Sequence, residues 1–424
     1  MKMRKLLFGL AGALALAAPS IAATSTPELF ALKVGRAETA TGESIEHAVI
    51  LIENGKIVTI GQDLEIERGI PVIDRSDLVV TPGFVNCYSR AGLSSSGASG
   101  TQPSVQASTE LYPRQELFGD LLKAGVTTLG LYPPGNGIPG QAVAISTAGT
   151  TLEDMILKEG AYLKILMASN SSSRKMLDGA FEKVEKYNET VEKAREKWEK
   201  SVEDWDKEHK QRKKDEKDGK ELKPEDPKPG DFVAPEPDAV AGPFIKVLDG
   251  ELPVLFSIRK AGDYLHLLKG IGEREFNWSL RVPLRNDIDL FKVADQIGEK
   301  ELRVVMEPRL TLMEWTMRER NIPDELTRAG AHVAFIPNGD DLDNMKKWRL
   351  HVGHLVKRGM DADAALAAMT LEPARELGLD DRLGSLEVGK DANLLFFDGD
   401  PFQPSTKLVS VMSGGNFVGD EELR

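Results

Sequence analysis

Eight short apolar runs, each the length of one strand, are spread between residues 83 and 336. They are Gly83–Tyr88, Val126–Tyr132, Ala142–Ser146, Leu163–Met167, Pro253–Ser257, Trp278–Pro283, Leu302–Met306 and Ala331–Ile336. Helical patterns follow several of them, as at 287–298 and 361–369. This alternation limits the middle of the chain to an α/β architecture, and eight such units predict a (β/α)8 TIM-type barrel over 83–383. The ends read differently. Ala48–Glu53 and Lys56–Gly61 flank Asn54-Gly55, the pair that a two-residue hairpin turn requires. Short strands are expected at 71–74, 78–80, 393–397 and 408–412. Two β-rich ends around an α/β middle predict one small composite β-sandwich domain from 23–82 and 384–424.

The first residues carry an export pattern. Lys2, Arg4 and Lys5 precede the apolar run Leu6–Ala18, and Ser20-Ile21-Ala22 supplies the small residues of a cleavage site. A leader over 1–22 is expected, too short to span a bilayer. The expected location is periplasmic or secreted, with no membrane anchor. The whole chain has formal charge −13, so loss of three positive charges leaves −13 − 3 = −16. That charge argues against a nucleic-acid partner. One cysteine excludes an intrachain disulfide framework or a cysteine-rich zinc site, and there are only six histidines.

Residues 171–240 break the rhythm. Val184, Tyr187, Val191, Ala194, Trp198, Val202 and Trp205 recur every three or four residues on an otherwise charged stretch, marking one apolar stripe on a long helix. A Pro-rich extended segment follows. This insertion is either a solvated arm lying on the barrel or a docking arm for a partner subunit.

Several motifs are weaker than they look. Gly135-Asn-Gly137-Ile-Pro-Gly140 fits the dinucleotide pattern, but Pro139 and a strand-like continuation replace the helix that a pyrophosphate needs. Cys87 has no histidine near it in sequence and reads as structural. His351 and His354 share a helix face without the carboxylate partners of a metal pair, and His47, His209, His266 and His332 are isolated.

Two blocks carry a family resemblance. Ile50–Gly61, then Val72-Ile-Asp, then Val80-Thr-Pro-Gly-Phe-Val-Asn86 resembles the opening of the amidohydrolase superfamily, closest to its imidazolonepropionase-like group. Ala368–Gly378 and Gly384–Phe402 resemble its closing segment. The resemblance covers the mature chain apart from 171–240 and implies the barrel and the composite sheet domain. It also implies hydrolysis of C–N bonds with one or two divalent metals such as zinc, which activate water and polarise a carbonyl. The implied ligands are His-x-His on strand 1, Lys or Glu on strand 4, His on strands 5 and 6, and Asp on strand 8.

Here the sequence departs from the family. Tyr88 and Arg90 stand at the two strand-1 histidine positions, and strand alternation is expected to aim both into the mouth and turn Cys87 and Ser89 away. Ser169 falls at the strand-4 position, Ser257 at the strand-5 histidine and Asn338 at the strand-8 aspartate. No histidine lies near Val282–Arg285. Asp340 and Asp341 follow closely, and a shifted register restores one carboxylate. Such a set cannot build a divalent site, which needs about three imidazole or carboxylate ligands, so no metal cofactor is expected. Arg90, with Arg259 and Arg285, places positive charge where the metal would sit, either to bind an anion bidentately or to fill the vacated volume. The expected protein is a non-catalytic superfamily member that binds an anionic small molecule, or partners an active paralogue or a second copy. The alternatives are an active hydrolase with a rearranged site, and an assembly protein acting through the 171–240 arm.

Overall fold

Both ends of the chain enter one sheet. In the computed structural model its strands run in the order Asn416–Phe417, Leu408–Ser413, Leu394–Phe397, Val72–Pro82, Leu29–Glu38, Ala48–Glu53 and Lys56–Gln62, with Ser44–Glu46 paired to Leu29–Glu38. The structure describes residues 28–419 apart from 96, 98–99, 220–226, 286–287 and 314. The expected leader at 1–22 lies outside these residues. The two short strands expected at 71–74 and 78–80 are one, Val72–Pro82. The Asn54-Gly55 turn forms as expected, with φ of 50° and 75°. The sheet folds over one core, in which Ile52 and Ile57 from one end share a cluster with Phe396 and Met412 from the other. The ends meet at Gly55, where a side-chain carbon would lie 2.6 Å from the Gly414 carbonyl oxygen.

All eight central runs form strands: β1 (Phe84–Ser89), β2 (Val126–Leu131), β3 (Val143–Ser146), β4 (Leu163–Leu166), β5 (Val254–Ser257), β6 (Trp278–Arg281), β7 (Arg303–Met306) and β8 (His332–Phe335). They lie in two sheets. β4 to β8 are mutually parallel, whereas β1 and β2 are parallel and β3 runs antiparallel to β2. The expected all-parallel succession fails at β3 because Gly135–Gly140 turns the chain back, with positive φ at Gly135, Gly137 and Gly140. No helix follows this glycine loop. Both sheets contribute to one interior cluster: Val85 and Cys87 from β1, Ala144 from β3, Leu255 from β5, Val305 from β7 and Ala334 from β8. No ladder joins β8 to β1 among the described residues. The helix Leu371–Leu377 packs against both strands instead.

That helix closes the end where the parallel strands begin. Ser279 Oγ donates to Glu376 Oε1 at 2.6 Å, and Arg303 stands 3.9 Å from the other oxygen. His332 Nδ1 is 3.4 Å from Glu372, which also pairs with Arg375 at 2.6 Å. Burial lifts the Glu376 carboxyl to about 7, against the opposing pull of Arg303 and Ser279.

The long helix Ser171–Lys217 follows β4. Asn170 caps it, its side chain accepting from Ser173 N. Leu177, Ala180, Phe181 and Val184 anchor its first turns, with Phe181 edge-on to Phe244 at 5.2 Å. Beyond Val184 the helix does not rest on the central sheets. Its stripe is met by the chain's own Pro-rich return, which runs antiparallel to it. Trp198 Nε1 donates to Gly230 O at 2.7 Å, Trp198 packs 5.9 Å from Phe232, and Tyr187 OH donates to Pro235 O at 3.0 Å. Tyr187 and Trp198 of the stripe are thus met from within the chain. No described helix is long and apolar enough to cross a membrane.

Two outcomes follow from these contacts. The acidic proton of Glu376 is held more tightly in the folded than in the unfolded chain, so its contribution to stability is full below the usual glutamate range and is lost as pH rises to about 7. Glu376→Gln is therefore expected to stabilise the protein above pH 7 by up to about 3 kcal/mol and to gain nothing near pH 4.5, read by denaturant unfolding across pH. Trp198→Ala is expected to raise hydrogen exchange of the segment around 230–235 while leaving exchange around Phe181 unchanged.

Candidate functional site

The other end of the parallel strands opens onto a cavity of about 430 Å³. Its lining includes Leu166 and Met167 at the end of β4, Ser257 and Arg259 at the end of β5, Pro283 beyond β6, and Ser172, Ser173 and Met176 on the first turns of the long helix. The size suits a small ligand.

Beside it a charged and aromatic cluster converges from several strands. Tyr88 of β1 and Tyr132, just past β2, stack with ring centroids 3.9 Å apart. Lys164 of β4 places Nζ 3.9 Å from the Tyr132 ring centroid and 5.6 Å from that of Tyr88. It is only 5% exposed, and its one hydrogen bond is a 3.5 Å contact to Pro133 O. Arg281, ending β6, lies 5.2 Å over the Tyr88 ring and is paired with Glu307, which also accepts from Leu284 N at 2.9 Å. Arg90 donates to Ser95 O at 2.5 Å, while its Nε is buried without a partner. Ser89 Oγ donates to Asp340 Oδ1 at 2.6 Å.

The charges act on one another. Burial draws the Lys164 amine down to about 7, and the nearby Arg90 and Arg281 push it the same way. Burial raises both phenols above the ordinary tyrosine value, so they stay protonated. Arg281 holds the Glu307 carboxyl below its ordinary value although burial opposes it. No three His, Cys, Asp or Glu side chains converge as a metal site among the described residues. The carboxylates nearby are Glu307, engaged by Arg281, Asp340, engaged by Ser89, and Glu110, which accepts from Ser95 Oγ at 2.6 Å. Two guanidinium groups and an amine repel a cation. This donor set does not fit a divalent metal.

The residues singled out from sequence divide between these places. Tyr88 and Arg90 are in the cluster, and Ser257 and Arg259 line the cavity. Ser169 is exposed, with its backbone N–H donating to Asp263 Oδ1 at 2.8 Å. Asn338 is exposed and bonds His351 Nδ1 at 3.1 Å. The carboxylate that reaches the cluster from the β8 side is Asp340, through the shifted register. Asp341 instead caps the helix Leu342–Lys357. Ser89 and Cys87 do not turn away from the interior. Cys87 is fully buried inside, and the β1–β2 pairing slips between Asn86 and Ser89, so simple alternation breaks there. Arg281 joins the cluster. Tyr132 and Glu307 carried no sequence signal of their own, whereas Lys164 lies within β4, the strand on which the resemblance implies a lysine or glutamate.

Residues 327–419 match the amidohydrolase family. No curated protein matches the chain. Among solved structures, an amidohydrolase from Thermotoga maritima MSB8 superposes with a TM-score of 0.70 at 22% identity, covering 92% of this chain and 99% of that one. A prolidase complexed with N-methylphosphonate-L-proline gives 0.51 at 13% identity, covering 92% and 99%. A molinate hydrolase gives 0.50 at 14% identity, covering 93% and 95%. The fold is a mixed α/β fold shared with these proteins. The family match is confined to residues 327–419, and the likeness to the solved structures is one of fold.

Lys164 bears on stability as well. Its folded value lies below the unfolded one, so its contribution is full above the ordinary lysine range and is lost as pH falls to about 7. Lys164→Met is expected to stabilise the protein by a few kcal/mol, of order 3–4, at pH 6–7 and by almost nothing near pH 10.5. Denaturant unfolding at the two pH values reads the difference.

Proposed function

We propose that this protein is an exported, non-catalytic member of the amidohydrolase superfamily whose barrel mouth binds a small anionic molecule. On this reading the eight central strands are a (β/α)8 barrel interrupted by the long helix, and the terminal sheet is the composite domain of the superfamily. The leader would deliver the chain to the periplasm or outside the cell. One observation carries the reading. Arg90, Lys164 and Arg281 gather at the mouth, and the carboxylates nearby are already engaged, by Arg281, Ser89 and Ser95. Positive charge contributed by side chains takes the place of positive charge contributed by metal. A carboxylate or similar anion would be met by Arg90, which makes no ion pair among the described residues and whose Nε is buried without a partner.

The experiment has two arms. The mature protein is exposed to zinc and manganese, freed of unbound metal and analysed by plasma mass spectrometry, with less than about 0.1 metal per chain expected. One or two metals per chain would sink the metal-free reading. In parallel, small carboxylates are titrated by calorimetry. Arg90→Gln is expected to weaken any carboxylate that binds by about tenfold or more, the worth of one charge-assisted hydrogen bond. An unchanged affinity would remove the anion from this cluster.

A further inference from the structure

Lys164 is a buried amine with no acidic partner. It rests on the Tyr132 ring, 5% exposed, with a single weak contact to a carbonyl oxygen. The same strand face continues to Leu166, which lines the cavity, and across the ladder Arg281 is paired with Ser257, which also lines it. Lys164 is two residues before Leu166 on that strand, with its amine against Tyr132. Arg90 is close enough for its charge to act on the amine, and its Nε is unsatisfied.

A buried charge without a partner is costly, and a structural lysine escapes that cost by finding a carboxylate or reaching solvent. Lys164 does neither. A neutral amine, by contrast, sits comfortably against an aromatic ring and has its lone pair available. Lysines that react with carbonyl groups are activated in this way, by apolar surroundings and a second cationic group. Here Arg90 and Arg281 are the cationic groups. The amine's depressed proton affinity, described above, agrees with that state.

From this geometry we infer that Lys164 captures a 2-oxo acid as a reversible imine, with the ligand carboxylate held by Arg90. The inference rests on the anion-binding reading and names the ligand class for that same site. The amine nitrogen attacks the carbonyl carbon, and a proton passes from nitrogen to the former carbonyl oxygen to give a carbinolamine. The C–O bond then breaks, and the hydroxyl leaves with the remaining amine proton as one water, forming the C=N bond. No oxidant, reductant or metal takes part. The carbonyl carbon and the carboxylate of a 2-oxo acid are one bond apart, so one small ligand offers a group to the amine and a group to the guanidinium. Addition of water reverses the step, so the outcome is capture and release rather than turnover.

The test uses the mature protein with pyruvate and sodium cyanoborohydride, followed by peptide mapping in a mass spectrometer. Thermal shifts with pyruvate and with propionate, which lacks the carbonyl, are measured in parallel. The expected result is a reduced adduct on Lys164 at least about tenfold above any other lysine. It should be lost in the denatured protein and in Lys164→Arg, while the native protein shows a thermal shift with propionate. Mapping the native chain needs no variant, so poor folding of Lys164→Arg leaves the test intact. Thermal shifts with both acids but no adduct on Lys164 would overturn the imine and leave the anion site standing. No shift with either acid and no adduct would overturn both. Label spread evenly over exposed lysines would overturn the imine.

Discussion

The junction at Gly83 governs the rest of the molecule. The strand Val72–Pro82 is the inner member of the terminal sheet, paired on one side with Leu29–Glu38 and on the other with Leu394–Phe397. One residue later the same chain begins β1. Gly83 N donates to Asn393 O at 2.9 Å, and a side-chain carbon at Gly83 would lie 2.3 Å from Thr127 Oγ1 of β2. Glycine is therefore required where the two sheets are joined most closely. Because a segment near each terminus pairs with the strand that leads into β1, the terminal sheet fixes the direction in which the central strands start. The mouth lies at the far end of that first strand.

At that end the electrostatics are unusual for a buried place. Most buried charges are matched one to one, as Arg281 is with Glu307. Within the cluster Arg90 and Lys164 have no such partner, and Asp340 is held by the neutral Ser89 hydroxyl. The opposite end of the strands holds the reverse case, where Glu376 is so deeply buried that Arg303 at 3.9 Å and Ser279 do not keep its carboxyl in the ordinary range. The two ends therefore respond to pH in opposite senses. Raising the pH ionises the acid at the base and relieves the amine at the mouth.

Much of this was legible in the sequence. The eight strands, the Asn54-Gly55 hairpin and the long helix all announce themselves through periodicity and turn chemistry, which are local signals. The direction of β3 was not legible, because it depends on where the glycine loop sends the chain. The candidate site was read by counting along strands from family positions. That works where the register is regular, as at Ser257, and fails at Ser89, where the β1–β2 pairing slips. It also fails at Ser169 and Asn338, where the chain has already left the strand. Lys164 was missed because the strand-4 position was counted to Ser169, past the end of β4, while the lysine lies within the strand, and its neighbours Tyr132 and Arg281 lie 32 and 117 residues away in sequence.

The long helix has a mechanical consequence. At 47 residues it extends about 70 Å, yet only its first few turns are gripped by the body of the protein. The return segment laid along it stiffens the free part. Ser172, Ser173 and Met176, which form one wall of the cavity, belong to the gripped turns. One continuous helix therefore joins the cavity wall to a charged surface tens of ångströms away, so the two are parts of a single rigid element.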